Sequence, residues 1–226
     1  MTERLDEKEK RRAVVLLFAH ILLFPLLVSL CAFRFHEALT TAEYNLLYYG
    51  VSCLLCVLFL GKYLRRSFES LKNEPKKTLT ALIFGCALFL LLTTLFGFLL
   101  KALGIDGTDP NSQSVNEMMD SQGFIALLLT VLFAPFVEET LFRGGVFCAL
   151  YDKGRLYAYL VTTVLFSVYH VWQFAYSSGD WHALLYAAAY IPASVTLCFI
   201  YEKSGTVWAG MLFHAGYNLF ARLFSL

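Results

Sequence analysis

Apolar residues in this chain run in long unbroken blocks, not in strict alternation or in narrow helical stripes. Ala13–Phe33 is about the twenty residues that a helix needs to cross a bilayer. Asn45–Gly61, Leu79–Leu100, Phe124–Tyr151, Leu156–Tyr176, His182–Tyr201 and Thr206–Phe224 follow it. The pattern predicts an all-α, polytopic membrane helix bundle of about seven transmembrane helices. The first block is longer than a signal-peptide core and no small-x-small site follows it, so it reads as a retained helix. Pro25 is expected to kink it, and Pro192 falls inside the sixth block. Lys62–Thr78 is a basic connector with Leu64, Phe68 and Leu71 at helical spacing, read as a helix lying at the interface and ended by Asn73-Glu74-Pro75. Lys101–Gln122 is the longest polar loop, with Gly104, Gly107 and Asp109-Pro110 as turn signals. Asp152–Arg155, Ser177–Trp181 and Glu202–Gly205 are short connections.

Composition agrees with the pattern. The chain is 58% hydrophobic and 15% charged, against about a quarter charged in soluble domains. A net charge of +1 gives no case for nucleic acid, so the placement of charge matters more than its sum. Fourteen Lys and Arg residues fall at the N-terminus and in the connectors around 62–77, 152–155 and 202–205, whereas Arg34, Lys101 and Arg222 fall on the other side. That asymmetry places the N-terminus in the cytoplasm of what is expected to be a bacterial cytoplasmic membrane. Cys53 and Cys56 have C-x-x-C spacing, but they lie inside a span with no second pair and no adjacent histidine. Apolar packing is the expected role of all six cysteines.

Against this background, polar residues deep in the spans stand out. Glu138, Glu139 and Arg143 lie in the fourth block, where each costs roughly 2.5–3.5 kcal/mol at the centre of a helix. His170 lies in the fifth, one turn after Phe166. His214 and Asn218 lie four apart on one face of the seventh. Counted from the basic turns at about 1.5 Å per residue, Glu138, His170 and His214 sit about 20, 22 and 16 Å deep, a common level that argues for one site opened toward the cytoplasm. Glu139 and Arg143 share a helix face and can pair. Glu138 is rotated about 100° from Glu139, which leaves its carboxylate free for chemistry. A buried carboxylate suits a general base acting on water, His170 can orient that water, and His214 with Asn218 can donate to an oxyanion. Pro135 is expected to leave the Val131 carbonyl without a donor. Ser167, three residues before His170, is the alternative nucleophile. Two histidines and a glutamate can also form a three-ligand zinc site. H-E-x-x-H is absent, however, and Arg143 opposes a second cation, so no metal or other cofactor is expected. His20, His36 and His182 fall off the common level and read as structural.

Glu138-Glu139-Thr140-Leu141-Phe142-Arg143, Phe166-Ser167-Val168-Tyr169-His170 and His214-Ala215-Gly216-Tyr217-Asn218 together resemble the E-E-x-x-x-R, F-x-x-x-H and H-x-x-x-N motifs of the CAAX protease and bacteriocin-processing family. The likeness covers about 124–220. It is to intramembrane glutamate-type endopeptidases such as the type 2 CAAX prenyl protease, formerly classed as metalloproteases. It implies Glu138, His170, His214 and Asn218 as catalytic residues, Glu139 and Arg143 as supporting ones, and an active site facing the cytosol. The implied partners are membrane lipid and a peptide or lipidated-protein substrate, of prenylated or bacteriocin type. We therefore expect one integral membrane domain over 1–226, with its catalytic core at about 124–220 and an N-terminal three-helix part at 1–100. A non-catalytic scaffold or bacteriocin-immunity protein is the alternative, and a proton-coupled transporter a further one, although no repeated half is visible.

Overall fold

A computed structural model describes residues 5–34, 39–105 and 109–223. His36, Gly107 and the Phe224 end of the last predicted span lie outside them. The described chain is a bundle of helices: α1 (Glu7–Cys31), α2 (Thr41–Asn73), α3 (Pro75–Ala102), α4 (Pro110–Tyr151), α5 (Arg155–Tyr169), α6 (Trp172–Ser178), α7 (Trp181–Ser204) and α8 (Val207–Leu223). Among these, α1, α2, α3, α4 and α7 are long and apolar enough to cross a membrane. The all-α membrane bundle stands. The count of seven full crossings does not follow from it, because α5 has 15 residues and α8 has 17.

Local chemistry sets the helix ends. Asp6 accepts from the Glu9 N–H at 2.8 Å while Glu9 accepts from the Asp6 N–H at 2.9 Å, a reciprocal cap that holds the Asp6 carboxyl below its ordinary value. Thr40 and Glu43 repeat the device at α2. Asp109-Pro110, read from sequence as a turn, is a helix start instead. Asp109 accepts from the Asn111 and Ser112 N–H groups at 3.1 Å, and Pro110 occupies the first turn, where a missing N–H costs nothing. The expected 101–122 loop is therefore largely helical. It joins the fourth span through a joint at Gln122, whose φ of −146° and ψ of 55° are not helical.

The Lys62–Asn73 connector also differs from expectation. It continues α2 instead of lying along the interface, because its polar side is tied to other helices. Ser67 and Thr206 hydroxyls meet at 3.0 Å, the Trp208 indole N–H donates to the Leu64 carbonyl at 3.0 Å, and Arg66 grips Glu9 at 2.7 and 3.1 Å. Asn73 and Pro75 do mark the end of α2 and the start of α3. Pro192 sits in the first α-helical turn of α7, after a tightly wound stretch from Trp181 to Tyr190. The predicted fifth span breaks at His170–Val171 and divides into α5 and α6.

Two helices share an unusual bend. In α1 the turn Ala19–Leu23 is wound wide, and the Phe24 N–H reaches the Ala19 carbonyl five residues back. Pro25 is next and has no N–H, so the His20 carbonyl loses its donor. The Tyr48 hydroxyl of α2 donates to it at 2.8 Å. In α4 the wide turn is Leu129–Phe133, the Ala134 N–H reaches Leu129, and Pro135 follows. The deprived carbonyl is consequently that of Thr130, not Val131 as a regular α-helix requires, and the Asn218 amide of α8 donates to it at 2.7 Å. Each bend is thus braced by a side chain from another helix.

The connections at 73–75, 152–155 and 204–207 gather with the start of α1 at one end. There Glu202 accepts from Arg155 at 2.6 and 2.9 Å, from Tyr151 at 2.6 Å and from Tyr159 at 2.8 Å. Above it α4 lies against α1 and α2, where a Cβ on Gly144 would stand 2.9 Å from the Tyr63 ring. Replacing Tyr48 by Phe is predicted to leave the His20 carbonyl unpaired and to cost about 1–3 kcal/mol. A lower melting temperature of the protein in detergent checks this; an unchanged one refutes the bracing role.

Candidate active site

After the regular turn Ala134–Glu138, wide turns resume from Glu139 to Phe147, so Glu139 and Arg143 lie on a locally underwound helix with every residue of that stretch buried. Arg143 and Glu139 are both fully buried, and Arg143 Nη1 meets Glu139 Oε1 at 3.0 Å. Nη2 of Arg143 donates to the Ser194 hydroxyl at 3.1 Å and to the Ser194 carbonyl at 3.3 Å. The Phe166 ring lies under the guanidinium at 4.2 Å. Glu139 Oε1 also faces His214 Nδ1 at 3.0 Å. The pairing of Glu139 with Arg143 expected from their spacing is present, and it extends to α5, α7 and α8.

Glu138 points elsewhere. Its Oε1 accepts from the Tyr49 hydroxyl at 3.0 Å. Its Oε2 is buried without a hydrogen-bond partner among the described residues, and it faces His170 Nε2 at 3.8 Å and His214 Nε2 at 4.0 Å. The other nitrogens of both rings are committed. His170 Nδ1 lies 2.8 Å from the Phe166 carbonyl, which can only accept, so this nitrogen carries the proton. His214 Nδ1 abuts the Glu139 carboxylate. Neutral His170, so fixed, turns an Nε2 lone pair toward Glu138. Gaps of 3.8 and 4.0 Å are of a size that one oxygen atom, about 2.8 Å from each side, would span.

These are also the residues that a metal ion would have to use. Tetrahedral ligands at about 2.0 Å stand about 3.3 Å apart, closer than the separations here. Among the described residues no His, Cys, Asp or Glu group is spaced to hold one.

Three of the four expected catalytic side chains therefore meet at one point. Asn218 lines the same cavity, but one of its amide hydrogens is spent on Thr130. Ser167 is buried without a hydroxyl partner among the described residues and does not line the cavity. The sequence reading passed over Tyr49 and Tyr190, and took His20 as structural. Tyr49 and Tyr169 hydroxyls lie 3.0 Å apart, and Tyr169 meets His20 Nε2 at 2.9 Å, so a hydrogen-bonded chain runs from Glu138 to His20, which also contacts Ser52 at 2.9 Å. The Tyr190 ring stacks on His170 with centroids 4.3 Å apart. No spacing rule singles these residues out, because each is a tyrosine or histidine in an apolar block whose partner is on another helix.

The cavity has a volume of about 1200 Å³, above the roughly 300–1,000 Å³ of small-ligand pockets. Its lining comes from the start of α2, the second half of α3, the first half of α4, the end of α5 with α6, the start of the α-helical part of α7 and the far end of α8. Those ends lie opposite the lysine-rich turns. The expectation of a site open toward the cytoplasm rests on depth counted along the spans, which gives a level and not a direction of opening.

Residues 120–220 match the Rce1-like family, described as type II CAAX prenyl endopeptidase. The resemblance read from the three motifs is therefore found again in the region that carries them. Over 78% of this chain and 69% of its own length, the Bacillus subtilis (strain 168) protein named "Putative membrane peptidase YdiL" is 24% identical. The Lactococcus lactis (strain IL1403) "UPF0177 protein YvdC" is 27% identical over 64% of this chain, and the match spans about half of that protein, 52%. No solved structure matches the chain.

Replacing Arg143 by Met strands the buried Glu139 carboxylate and is predicted to cost about 3–5 kcal/mol. The double variant Arg143→Met with Glu139→Gln is predicted to recover part of the loss. Thermal unfolding of both purified proteins checks it, and a single variant as stable as the parent would refute the pairing.

Proposed function

We propose, from the Rce1-like likeness of residues 120–220 to membrane endopeptidases, that this protein hydrolyses a peptide bond of a membrane-associated substrate with water activated by Glu138. The observation that carries the reading is the convergence of Glu138 Oε2 with two imidazole Nε2 atoms inside a cavity large enough for a peptide. Water bound between them donates one hydrogen to Glu138 and the other to His170. As its oxygen attacks the carbonyl carbon, its proton passes to the Glu138 carboxylate, and the carbonyl electron pair moves onto oxygen. His214, holding both ring protons against Glu139, donates from Nε2 to that oxyanion, and the second amide hydrogen of Asn218 is available beside it. When the C–N bond breaks, Glu138 returns the proton to the leaving amine, giving a carboxylic acid and an amine. Tyr49 holds the other oxygen of Glu138 and fixes its orientation.

In this reading Glu139 and Arg143 are supporting residues, and no metal takes part. The substrate is a peptide segment of a membrane-associated protein, and membrane lipid surrounds the enzyme.

Glu138→Gln is predicted to abolish cleavage, by at least the 10²–10⁴-fold typical of a lost general base, with a normally folded protein. Mass spectrometry of membrane peptides that accumulate in cells carrying the variant identifies the substrate. Cleavage of that substrate at the parental rate by Glu138→Gln would sink the proposal. Tyr49→Phe is predicted to lower kcat about 10-fold with KM nearly unchanged, the signature of a group that acts through Glu138. Purified enzyme is predicted to keep its activity after prolonged chelation; activity lost to a chelator and restored by zinc would overturn the metal-free mechanism.

A further inference from the structure

We infer that the substrate of this cavity is a peptide presented on the extracytoplasmic face of the membrane, not the cytosolic tail of a lipidated protein. The inference rests on the peptidase reading above and adds to it the side from which substrate arrives.

Two independent observations combine. The first is where the cavity ends. Thr41, Asp109, Ser114, Asp120, Tyr190 and Arg222 line it toward one end of the bundle, and among the described residues none of the lining comes from the connections at 62–77, 152–155 or 202–207. The segment Pro110–Ser121 lies across that same end. Asp109 accepts from the Tyr190 hydroxyl at 2.5 Å, Asn111 donates to Tyr190 at 3.2 Å, Asn116 accepts from Arg222, and Met118 packs with Ala42 at the start of α2. This segment is the roof of the cavity and carries no lysine or arginine.

The second observation is charge. Fourteen of the eighteen Lys and Arg residues sit at the opposite end or in the N-terminal segment that leads to it. Short basic connectors stay in the cytoplasm, so the lysine-rich end faces inward and the roofed end faces outward. A cytosolic peptide would have to traverse the tightly packed half of the bundle to reach Glu138. In that half Arg143, Tyr63, Phe147 and Tyr201 are fully or almost fully buried. A peptide on the outer face is separated from the cavity by the Pro110–Ser121 roof alone.

The test is thiol labelling of the full-length protein in intact cells with a membrane-impermeant maleimide, the parent protein giving the background. Ser114→Cys places a thiol in the cavity wall, and Asp180→Cys places one on the exposed connection between α6 and α7 at the same end. Lys153→Cys and Lys203→Cys place exposed thiols at the lysine-rich end. The expected result is strong labelling of Asp180→Cys, and of Ser114→Cys at a lower rate, in intact cells. Lys153→Cys and Lys203→Cys should label only after permeabilisation. Labelling of Lys153→Cys and Lys203→Cys in intact cells, with Asp180→Cys protected until permeabilisation, would overturn the inference. So would Ser114→Cys labelling only from the cytoplasmic side. None of these readouts requires activity, so sidedness can fail while the peptidase reading stands, and the reverse.

Discussion

A guanidinium with no access to solvent, that of Arg143, governs the interior of this bundle. In a hydrocarbon-like medium such a charge is tolerable only when countercharge and hydrogen bonds surround it. Glu139 supplies the countercharge from the preceding turn of α4, Ser194 supplies two acceptors from α7, and the Phe166 ring of α5 supplies a π face. Through Glu139 the arrangement reaches His214 of α8. One cation therefore fixes the mutual placement of four helices. Because α4 cannot rotate without exposing this pair to lipid or to apolar neighbours, Glu138, one residue earlier, is held facing the cavity.

The two bends serve the same geometry from outside the charge cluster. A wide turn followed by proline frees one backbone carbonyl per helix, and each freed carbonyl is taken by a side chain of another helix. Tyr48 thereby locks α2 to α1 near His20, and Asn218 locks α8 to α4 one helical segment before Glu138. The price of a missing N–H becomes a cross-link. The device also qualifies the role of Asn218. Its position four residues after His214 suits an oxyanion donor, and its first hydrogen bond is a structural one that sets where the remaining donor can point.

Much of this was legible in the sequence, and the parts that were not share a cause. Long apolar blocks gave the helices, and Glu138, Glu139, Arg143, His170, His214 and Asn218 gave the candidate site, because a strongly polar residue inside an apolar block is conspicuous wherever it occurs. The Glu139–Arg143 contact is local, four residues along one helix, so spacing alone revealed it. Tyr49, Tyr190 and His20 were hidden because their partners are remote in sequence, and a tyrosine in an apolar block looks like packing. Asp109-Pro110 was misread for a different reason: the same dipeptide chemistry starts a helix or makes a turn, and the choice depends on whether tertiary contacts such as Asp109 with Tyr190 reward the helix. The opening of the cavity was out of reach as well. Helical rise measures how deep a residue lies but not which end of a bundle is packed shut.

What makes the cluster chemically pointed is the surplus of acceptors. Glu138 Oε2 and the Nε2 of neutral His170 face one another with no hydrogen between them. The outer hydrogen bond enforces this, since the Phe166 carbonyl accepts only and so keeps the His170 proton on Nδ1. A group of converging lone pairs is stable only around something that brings protons or positive charge. Water brings two hydrogens, and in giving them it gains electron density on oxygen, the change that attack on a carbonyl needs. The tyrosine at Oε1 strengthens the arrangement by holding Glu138 from behind, so that the carboxylate cannot turn away to find a donor of its own. On the proposed reading, the same convergence of acceptors orients and polarises the water that attacks the peptide carbonyl.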